Sequence, residues 1–420
     1  MFETPLFLAL GAILAWLSGM LPSAVMQGIP LLCGATGETI TEKSGNLNLG
    51  IPGIMYVGAI CGVAGAYYYD QSVTAITKER VMEIVTASPT PIIGKARMAL
   101  TDSTYAEVQS VFLTIAIPLL CCLAGALLMG LIYAFLTTTL RANQNVTGLA
   151  LTTFGIGIGN YVGGAIAGKG KTSISFKGIH DVYHAPLLKF SWPEWFDGHP
   201  RLCVFAVLAL IALALLAAWI VLRILKKRFP VWLKVTGIIT GILLIAIMGW
   251  SSYGFMVYLC VGIALIAAFI LAKTRVGLHL RAVGENPATA DAAGIPVNRY
   301  KYLATCIGAM IAGLGGLYYS VDYVGTWSND AFGDRGWLAI ALVIFTVWRP
   351  NIGVLASILF GGLYILNMYI PTGENLAIKE LFKMVPYVVT VVVLIVTSIT
   401  NRKDSQPPEH LGLPYFREER

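Results

Sequence analysis

Long apolar runs without charged residues recur along the whole chain. A helix needs about 20 apolar residues to cross a bilayer core of about 30 Å, because its backbone N–H and C=O groups must be satisfied internally. Twelve segments fit this pattern, at 6–21, 22–36, 47–69, 111–140, 144–168, 202–225, 235–250, 253–272, 302–321, 337–348, 352–370 and 385–400. The sequence therefore predicts an all-α polytopic membrane protein with about 10–12 transmembrane helices, including broken or re-entrant segments.

Two places in this pattern leave the number of helices open. The first two segments are short and meet at Pro22, so they predict either one bent helix or a pair. The run that ends at Trp348 is also short for a complete span.

Composition excludes several classes of protein. Hydrophobic residues make up 57% of the 420-residue chain and charged residues only 12%, whereas about 25% of a soluble domain is charged. A soluble enzyme and a nucleic-acid-binding domain are therefore excluded. The seven cysteines lie in or beside apolar runs, so they predict neither a disulfide framework nor a metal site.

Basic residues predict the orientation in the membrane. The basic stretches 226–234 and 273–301 are separated by two apolar segments, so both face one side, which the positive-inside tendency assigns to the cytoplasm. Both termini, including a tail at 401–420, then lie in the cytoplasm. The stretches 70–110 and 169–201 become extracytoplasmic loops of a single transmembrane domain, residues 1–400.

The polar segment between two apolar runs at 275–296 carries signals of a short helix. Asn286 is a good N-cap, Pro287 occupies the first helical position, and Gly294 can end the helix in a left-handed conformation. The predicted helix, Pro287 to Ala293, is only about 10 Å long and cannot cross a membrane. It predicts either a docking helix on the cytoplasmic face or a compact connecting loop.

The same segment carries a family resemblance. Arg281 to Ile295 (Arg-Ala-Val-Gly-Glu-Asn-Pro-Ala-Thr-Ala-Asp-Ala-Ala-Gly-Ile) resembles the coupling helix of permease subunits in ABC importers for simple sugars, nucleosides and branched-chain amino acids. Further matching segments follow in family order: Gly37–Gly50, Arg141–Thr147, Gly336–Leu342 and Leu381–Tyr387. The chain most resembles the nucleoside-type permeases. The resemblance implies an ABC importer permease core, with ATPase coupling by Arg281, Glu285, Asn286, Pro287, Ala288 and Gly294.

The resemblance also implies partners. They are two ATP-binding cassette ATPases in which ATP and Mg are used, a second permease that is more plausibly a paralogue than an identical copy, and an external substrate-binding lipoprotein at the plasma membrane. Pro52 stands where the family usually has a Glu, and 202–250 predicts two extra helices. The extra helices do not change the predicted side of the coupling region, since their number is even. Pro52 means that no role of the family's Glu can be transferred to this position.

No segment predicts catalysis or a bound cofactor. Gly163 to Thr172 comes near a phosphate-binding loop but lacks the required Ser or Thr after Gly168-Lys169. His180 and His184 have a spacing that could ligate a metal from one helix face, but the sequence offers no third ligand beyond Asp181, which favours an ordinary outer loop. We therefore expect a transport subunit without its own ATP site, catalytic residues or metal.

Uncharged polar residues at membrane depth are the candidates for a solute pathway. Asn46, Asn48, Thr152 and Asn160 are predicted to face it, with interhelical hydrogen bonding as the alternative. Nearly all of the apolar runs lack Asp, Glu, Lys and Arg, which favours a neutral hydroxyl-rich solute such as a nucleoside, ribose or another simple sugar. The rival function, a stand-alone secondary transporter or channel, would need an intramembrane carboxylate.

Overall fold

The computed structural model describes residues 5–88, 94–168, 173–186, 211, 214–215, 253–330, 332–369, 376–400 and 406–416. In chain order the helices are α1 (Pro5–Glu42), α2 (Ile51–Ala87), α3 (Lys95–Val108), α4 (Val111–Ala134), α5 (Gln144–Ala167), α6 (Lys177–His184), α7 (Phe255–Lys273), α8 (Arg275–Glu285), α9 (Pro287–Ala292), α10 (Val297–Leu317), α11 (Arg335–Phe345), α12 (Pro350–Tyr369) and α13 (Leu376–Thr400). Two π-helical turns, Phe135–Thr139 and Tyr318–Val324, extend α4 and α10, and the strands are β1 (Ser173–Ser175) and β2 (Thr326–Ser328). The two helices predicted at 202–250 lie outside the described residues, apart from positions 211, 214 and 215.

The helices pack as one bundle around α1, α2 and α10. Helix α1 contacts α10, α11 and α12, while α2 contacts α4, α5 and α10. Among the described residues, five helices are long and apolar enough to cross a membrane: α2, α4, α5, α7 and α10, with α4 and α10 counted together with their π-helical turns. This architecture confirms the predicted all-α polytopic membrane fold.

Glycines allow the central helices to approach closely. A Cβ placed on Gly37 of α1 would lie 2.2 Å from the carbonyl oxygen of Gly308 on α10, so neither position has room for a side chain. Small residues at helix interfaces give membrane bundles backbone-to-backbone packing that does not depend on water.

Three stretches differ from the sequence prediction or settle it. The runs that meet at Pro22 form one helix, α1, which contains both Pro22 and Pro30. The stretch 70–110, predicted as an extracytoplasmic loop, is mostly helical. Helix α2 continues past Asp70 to Ala87, and α3 follows it. The helix-forming residues of this stretch keep it helical beyond the apolar run. The run at 337–348 contains α11, whose 11 residues are too few to span a membrane alone.

The connection between α1 and α2 turns back into the bundle. We call residues 43–50 the re-entrant loop. Its last residues lie beside turns of α1 that precede the end of that helix. Asn48 N–H donates to Glu38 Oε1 at 2.8 Å, and a Cβ on Gly34 would be 3.7 Å from Ile51 Cγ2. Non-helical backbone at membrane depth is tolerated only where protein or a cavity surrounds it. The predicted broken segment at Asn46 and Asn48 is therefore a real feature of the fold.

The bundle has two ends that differ in what they carry. The α9 end carries α8, α9 and the first residues of α5 and α10. The ribbon end carries the last residues of α5 and α10 and the antiparallel ribbon in which Ile174 of β1 pairs with Trp327 of β2. Helix α5 alone, with 24 residues, separates the two ends by about 36 Å.

Candidate functional site

The predicted docking segment forms a helical elbow at the α9 end. Asn286 ends α8 and caps α9, because its Oδ1 accepts the N–H of Thr289 at 2.9 Å. Pro287 takes the first helical position, and Gly294 has φ of +80°, the left-handed conformation expected after a helix end. The local signals are confirmed, although α9 ends at Ala292 rather than Ala293. The sequence missed α8, which precedes it.

One face of the elbow is buried and the other is free. Pro287 and Ala290 are buried, and Ala290 packs with Val283 of α8 and Val297 of α10. The remaining predicted coupling residues are exposed: Arg281, Glu285, Asn286, Ala288 and Gly294. The arrangement presents a short surface of small side chains, with Arg281 and Glu285 beside it, to a partner outside the bundle.

Helix α8 is seated directly on the re-entrant loop. A Cβ on Gly284 would lie 2.4 Å from the carbonyl oxygen of Lys43 and 3.2 Å from the amide of Gly45, so this contact requires glycine. Burial lowers the pKa of Lys43, and the negative charge of Glu285 acts in the opposite direction. The docking elbow thus interacts with the re-entrant loop both sterically and electrostatically.

Polar side chains from several helices hold the re-entrant loop in place. Asn46 Nδ2 donates to Thr305 Oγ1 at 3.2 Å, Thr152 Oγ1 donates to the carbonyl of Leu49 at 2.8 Å, and the Asn48 side chain accepts the N–H of Gly50 at 2.9 Å. The structure therefore brings Asn46, Asn48 and Thr152 together around one loop, and all three side chains are buried.

Asn160 lies apart from the other three predicted pathway residues. It is on α5 near the ribbon end, where its side chain and Asp330 exchange two hydrogen bonds: Asn160 Nδ2 to Asp330 Oδ1 at 3.1 Å, and Asp330 N–H to Asn160 Oδ1 at 3.3 Å. The exposed side of α5 nearby carries Tyr161 and Gly157, where an added Cβ would meet no atom within 4 Å. The assignment of all four residues to one pathway stays a prediction.

Comparison of the sequence with known proteins places this chain in a family. The profile of the branched-chain amino acid transport system permease component matches residues 20–394. The guanosine ABC transporter permease protein NupQ of Bacillus subtilis is 25% identical over 408 residues, which are 96% of this chain and 98% of that protein. The putative glucose ABC transporter permease protein TsgC13 of Haloferax volcanii is 26% identical over 84% of this chain and 78% of its own length.

A shorter match is more similar. The nucleoside ABC transporter permease protein NupC of Lactococcus lactis is 36% identical over 141 residues, which are 33% of this chain and 44% of that protein. No solved structure gives a significant match. The chain belongs to the permease component family. The predicted identity as a multi-pass permease subunit is thereby confirmed over the alternative of a stand-alone secondary transporter or channel.

The permease buries ionisable residues that the apolar runs did not reveal. Asp322 and Arg335 are 1% and 7% exposed, although the run at 302–321 stops one residue before Asp322 and the run at 337–348 starts after Arg335. The apolar runs were therefore not a complete guide to which ionisable residues are buried. Both residues lie where a helix meets the segment 325–334, just beyond the ends of the apolar runs.

Arg335 is held mainly by aromatic rings. Its guanidinium carbon lies 4.2 Å from the ring centroid of Tyr319 and 4.5 Å from that of Tyr364. Nη1 donates to the carbonyl of Phe332 at 3.0 Å, and Nη2 donates to Gln27 Oε1 at 3.3 Å. A desolvated cation between two aromatic faces is stabilised by the ring quadrupoles.

The two histidines whose spacing could suit a metal have other partners. His180 Nδ1 lies 2.9 Å from the carbonyl oxygen of Val321, and His184 Nδ1 lies 3.2 Å from Asp322 Oδ1. They belong to a helix, α6, and not to an irregular loop as expected. Within the described part of the chain, no group of three or more His, Cys, Asp or Glu side chains could hold a metal ion.

An open cleft lies at the ribbon end, outside the core of the bundle. It has a volume of about 1050 Å³ and lies between α2, α3, α4 and α6. Three carboxylates, Asp70, Asp102 and Asp181, and one cation, Lys177, line it. Asp70 also accepts the hydroxyl of Tyr105, whose pKa is raised by burial and by that carboxylate. The lining combines these charged groups with apolar side chains, among them Val111, Ile115 and Phe255.

Some site residues could have been found from the sequence and others could not. Glu38 and Glu42 are spaced four apart at the end of α1, a spacing that places both on one helix face. Glu38 accepts the amide of Asn48, and Glu42 accepts the indole N–H of Trp348. Their spacing was the available signal. Nothing local to the sequence indicated their partners.

Proposed function

We propose that this permease is the membrane subunit of an ATP-driven importer for nucleosides, energised by separate ATPase subunits that dock on α9. The observation that carries the proposal is the elbow at Asn286, whose inner face is anchored on α8 and α10 while its outer face stays exposed. A short anchored helix with a free face of small residues fits a groove on a partner and transmits the partner's movement into the bundle.

Nucleosides are favoured over sugars by the relatives. The protein that aligns with nearly the whole chain is named for guanosine, and the one with the higher identity is named for nucleosides, whereas the glucose-named relative covers less of the chain than the former. The buried charges do not argue against a neutral solute, since Asp322 and Arg335 both have protein partners. Ribose and other simple sugars are the second candidates.

ATP and Mg belong to the partner subunits in this proposal. The glycine-rich stretch at 163–168 lies at the end of α5 beside Trp327, which is the ribbon end, and residues 169–172 lie outside the described residues. The proposed ATPases dock about 36 Å away at the α9 end. The α9 end and the C-terminal tail then face the cytoplasm of a plasma-membrane protein. The prediction that both termini lie there does not fit α1, because this single helix runs from Pro5, towards the ribbon end, to Glu42 at the α9 end.

The other partners meet different surfaces. An external substrate-binding lipoprotein would contact the ribbon end, where α3 and α6 extend a polar, helical surface beyond the apolar spans. A second permease, most plausibly a paralogue, would complete the solute pathway. We place the pathway beside the re-entrant loop and α5, with Asn46, Asn48, Thr152 and Asn160 along it.

Transport by the assembled complex tests the proposal directly. The permease is reconstituted with its co-purifying subunits in vesicles, and ATP-dependent uptake of labelled inosine is measured. Competition with unlabelled uridine, adenosine and ribose then identifies the solute class. Ala288→Trp, on the exposed face of α9, should abolish ATPase association and uptake because the bulky ring prevents docking.

A matched variant controls for the substitution itself. Ala99 is exposed on α3 near the ribbon end, so Ala99→Trp makes the same change away from the docking surface and should preserve ATPase association. Normal ATPase binding and uptake in Ala288→Trp would overturn the docking role of α9. Uptake by the lone permease without ATP would overturn the importer proposal.

The pathway assignment has its own experiment. Changing Asn46, Asn48, Thr152 and Asn160 to Ala or Val should raise the KM for the solute if they contact it. A lower unfolding midpoint with an unchanged KM would instead show that they act by hydrogen bonding between helices, which contributes about 0.6 to 2 kcal/mol for each such residue.

A further inference from the structure

The C-terminal tail lies across the α9 end. We call residues 406–416 the strap. Its backbone donates three hydrogen bonds to other parts of the permease. His410 N–H donates to the carbonyl of Gly284 on α8 and Gly412 N–H to the carbonyl of Gly45 in the re-entrant loop, both at 3.1 Å, and Glu409 N–H donates to Glu285 Oε2 on α8 at 3.3 Å. Gly412 has φ of +79°, so glycine permits the turn that makes the second contact. The strap therefore joins α8 to the re-entrant loop.

Side chains at the end of the strap reach α9 itself. Tyr415 donates its hydroxyl to Asp291 Oδ2 at 2.9 Å, and its ring packs against the buried cluster of Val283, Ala290 and Val297. A hydrogen bond to an ionised carboxylate is stronger than one between neutral groups. Tyr415 thus contacts α9 both by packing of its ring and by the hydrogen bond of its hydroxyl.

The strap also reaches the segment before α5. The guanidinium carbon of Arg141 lies 4.5 Å from the ring centroid of Phe416. Arg141 has φ of +57° in the short linker between the π-helical turn of α4 and the start of α5. One stretch of 11 residues thereby contacts the docking elbow, the re-entrant loop and the connection to α5.

The strap leaves the exposed side of α9 itself free, while Glu409 contacts Glu285 at the end of α8. Tyr415 lies on the side of Ala290, which is buried, whereas Ala288, Ala292 and Gly294 remain exposed. A tail that blocked the docking of a partner would cover the exposed side. The contacts indicate a fastening behind α9 rather than an occupant of its docking surface.

We propose that the strap is a positioning segment that transmits movement of α9 to the re-entrant loop and α5, and so sets how much solute is moved for each ATP hydrolysed. This inference rests on the proposed function. Without the strap, α9 keeps its contacts with α8 and α10, and its movement is shared less directly with the segments that hold Asn46, Asn48 and Thr152. ATP hydrolysis then proceeds with fewer productive transport cycles.

The test compares full-length variants in the reconstituted complex. Tyr415→Phe removes only the hydroxyl that bonds to Asp291, and Asp291→Asn removes the charge at the other side of the same contact. Each is expected to lower the ratio of solute imported to ATP hydrolysed about threefold, near the low end of what one ordinary hydrogen bond contributes. In Tyr415→Phe, which lies outside the docking helix, ATPase association and the basal ATPase rate stay at the wild-type level.

A double-mutant cycle and a matched tyrosine make the result specific. The double variant Tyr415→Phe with Asp291→Asn should resemble either single variant, because one contact is lost in all three. Tyr300→Phe removes a hydroxyl at the same end that is bonded to His279 at 2.9 Å and not to the strap. It should keep the wild-type ratio.

Two results would contradict the proposed role of the strap, and one would contradict the proposed importer function. An unchanged ratio in Tyr415→Phe, or an equal loss in Tyr300→Phe, excludes a specific transmitting role for residues 406–416 while leaving the importer intact. The absence of ATP-dependent uptake in the wild-type complex would remove the proposed function itself. The wild-type measurement therefore separates the two failures.

Discussion

The two ends of the permease hold their buried charges in different ways. At the α9 end, Glu38 accepts a backbone amide of the re-entrant loop, and Glu42 accepts the indole N–H of Trp348. At the ribbon end, Arg335 lies between the rings of Tyr319 and Tyr364. At the α9 end, directional hydrogen bonds to Glu38 and Glu42 therefore fix the re-entrant loop and Trp348, whereas at the ribbon end two aromatic faces contact a cation.

This difference indicates different mechanical roles. A carboxyl oxygen that accepts a backbone N–H holds a loop in one geometry, because a hydrogen bond restricts both the distance and the angle. A guanidinium over a ring is attracted anywhere within about 6 Å of the ring centroid, so it tolerates small displacements. We expect a stiff α9 end that transmits movement and a ribbon end that can rearrange around Arg335.

Replacing Arg335 is the strongest way to break this comparison. Arg335→Leu should lower the free energy of unfolding by about 3 kcal/mol, because it removes two ring contacts and leaves Gln27 and the carbonyl of Phe332 without their donor. Denaturant titration in micelles measures the change. Arg335→Lys should lose much of the same energy, since an ammonium cannot stack as a planar guanidinium does.

The control for Arg335 is an exposed arginine on the same chain. Arg80 lies on the exposed outer part of α2, so Arg80→Lys should leave the free energy of unfolding unchanged. If Arg335→Lys were equally silent, charge alone would hold the ribbon end together, and the proposed role of the aromatic faces would be wrong.

Local chemistry in the sequence was sufficient for the docking elbow. Asn286, Pro287 and Gly294 act through rules that involve only their near neighbours, so the cap, the first turn and the left-handed end could be predicted. The apolar runs likewise predicted the membrane fold, because helices in a bilayer satisfy their own backbone.

Long-range contacts could not be predicted in this way. Arg335 meets Gln27 across 308 positions of the chain, and Tyr415 meets Asp291 across 124. Asp322 was missed because the apolar run stops just before it, and a buried charge is recognisable only when its surroundings are known. The re-entrant loop was foreseen as a broken segment, but its contact with Gly284 was not.

The contact at Gly284 provides the second test, at the α9 end. Gly284→Ala forces a Cβ against the carbonyl of Lys43 and should lower the free energy of unfolding by about 2 kcal/mol, as overpacking does. Transport should fall more than stability alone explains, because the elbow is displaced from the re-entrant loop. Gly157→Ala, on α5 with open space around it, is the matched control and should be tolerated. A silent Gly284→Ala would contradict a stiff α9 end.

Lowering the pH should give the smallest effect, through His410 in the strap. Burial and the positive charge of Lys301 lower the pKa of His410 below its ordinary value near 6.5. The folded strap therefore favours the neutral imidazole. Its contribution to stability is fully present above about pH 6.5 and is lost as the pH falls towards the lower folded pKa, because the released strap takes up the proton more readily.

The expected result is a decrease of less than about twofold in solute imported per ATP between about pH 7.5 and pH 5.5, since a partly exposed group is screened by solvent. His410→Gln cannot titrate and should make the ratio insensitive to this pH change. His279→Gln, which removes the other histidine of the α9 end, should preserve the wild-type pH dependence. If only His279→Gln abolished it, the pH dependence would come from α8, and protonation of the strap would not affect how firmly the α9 end is held.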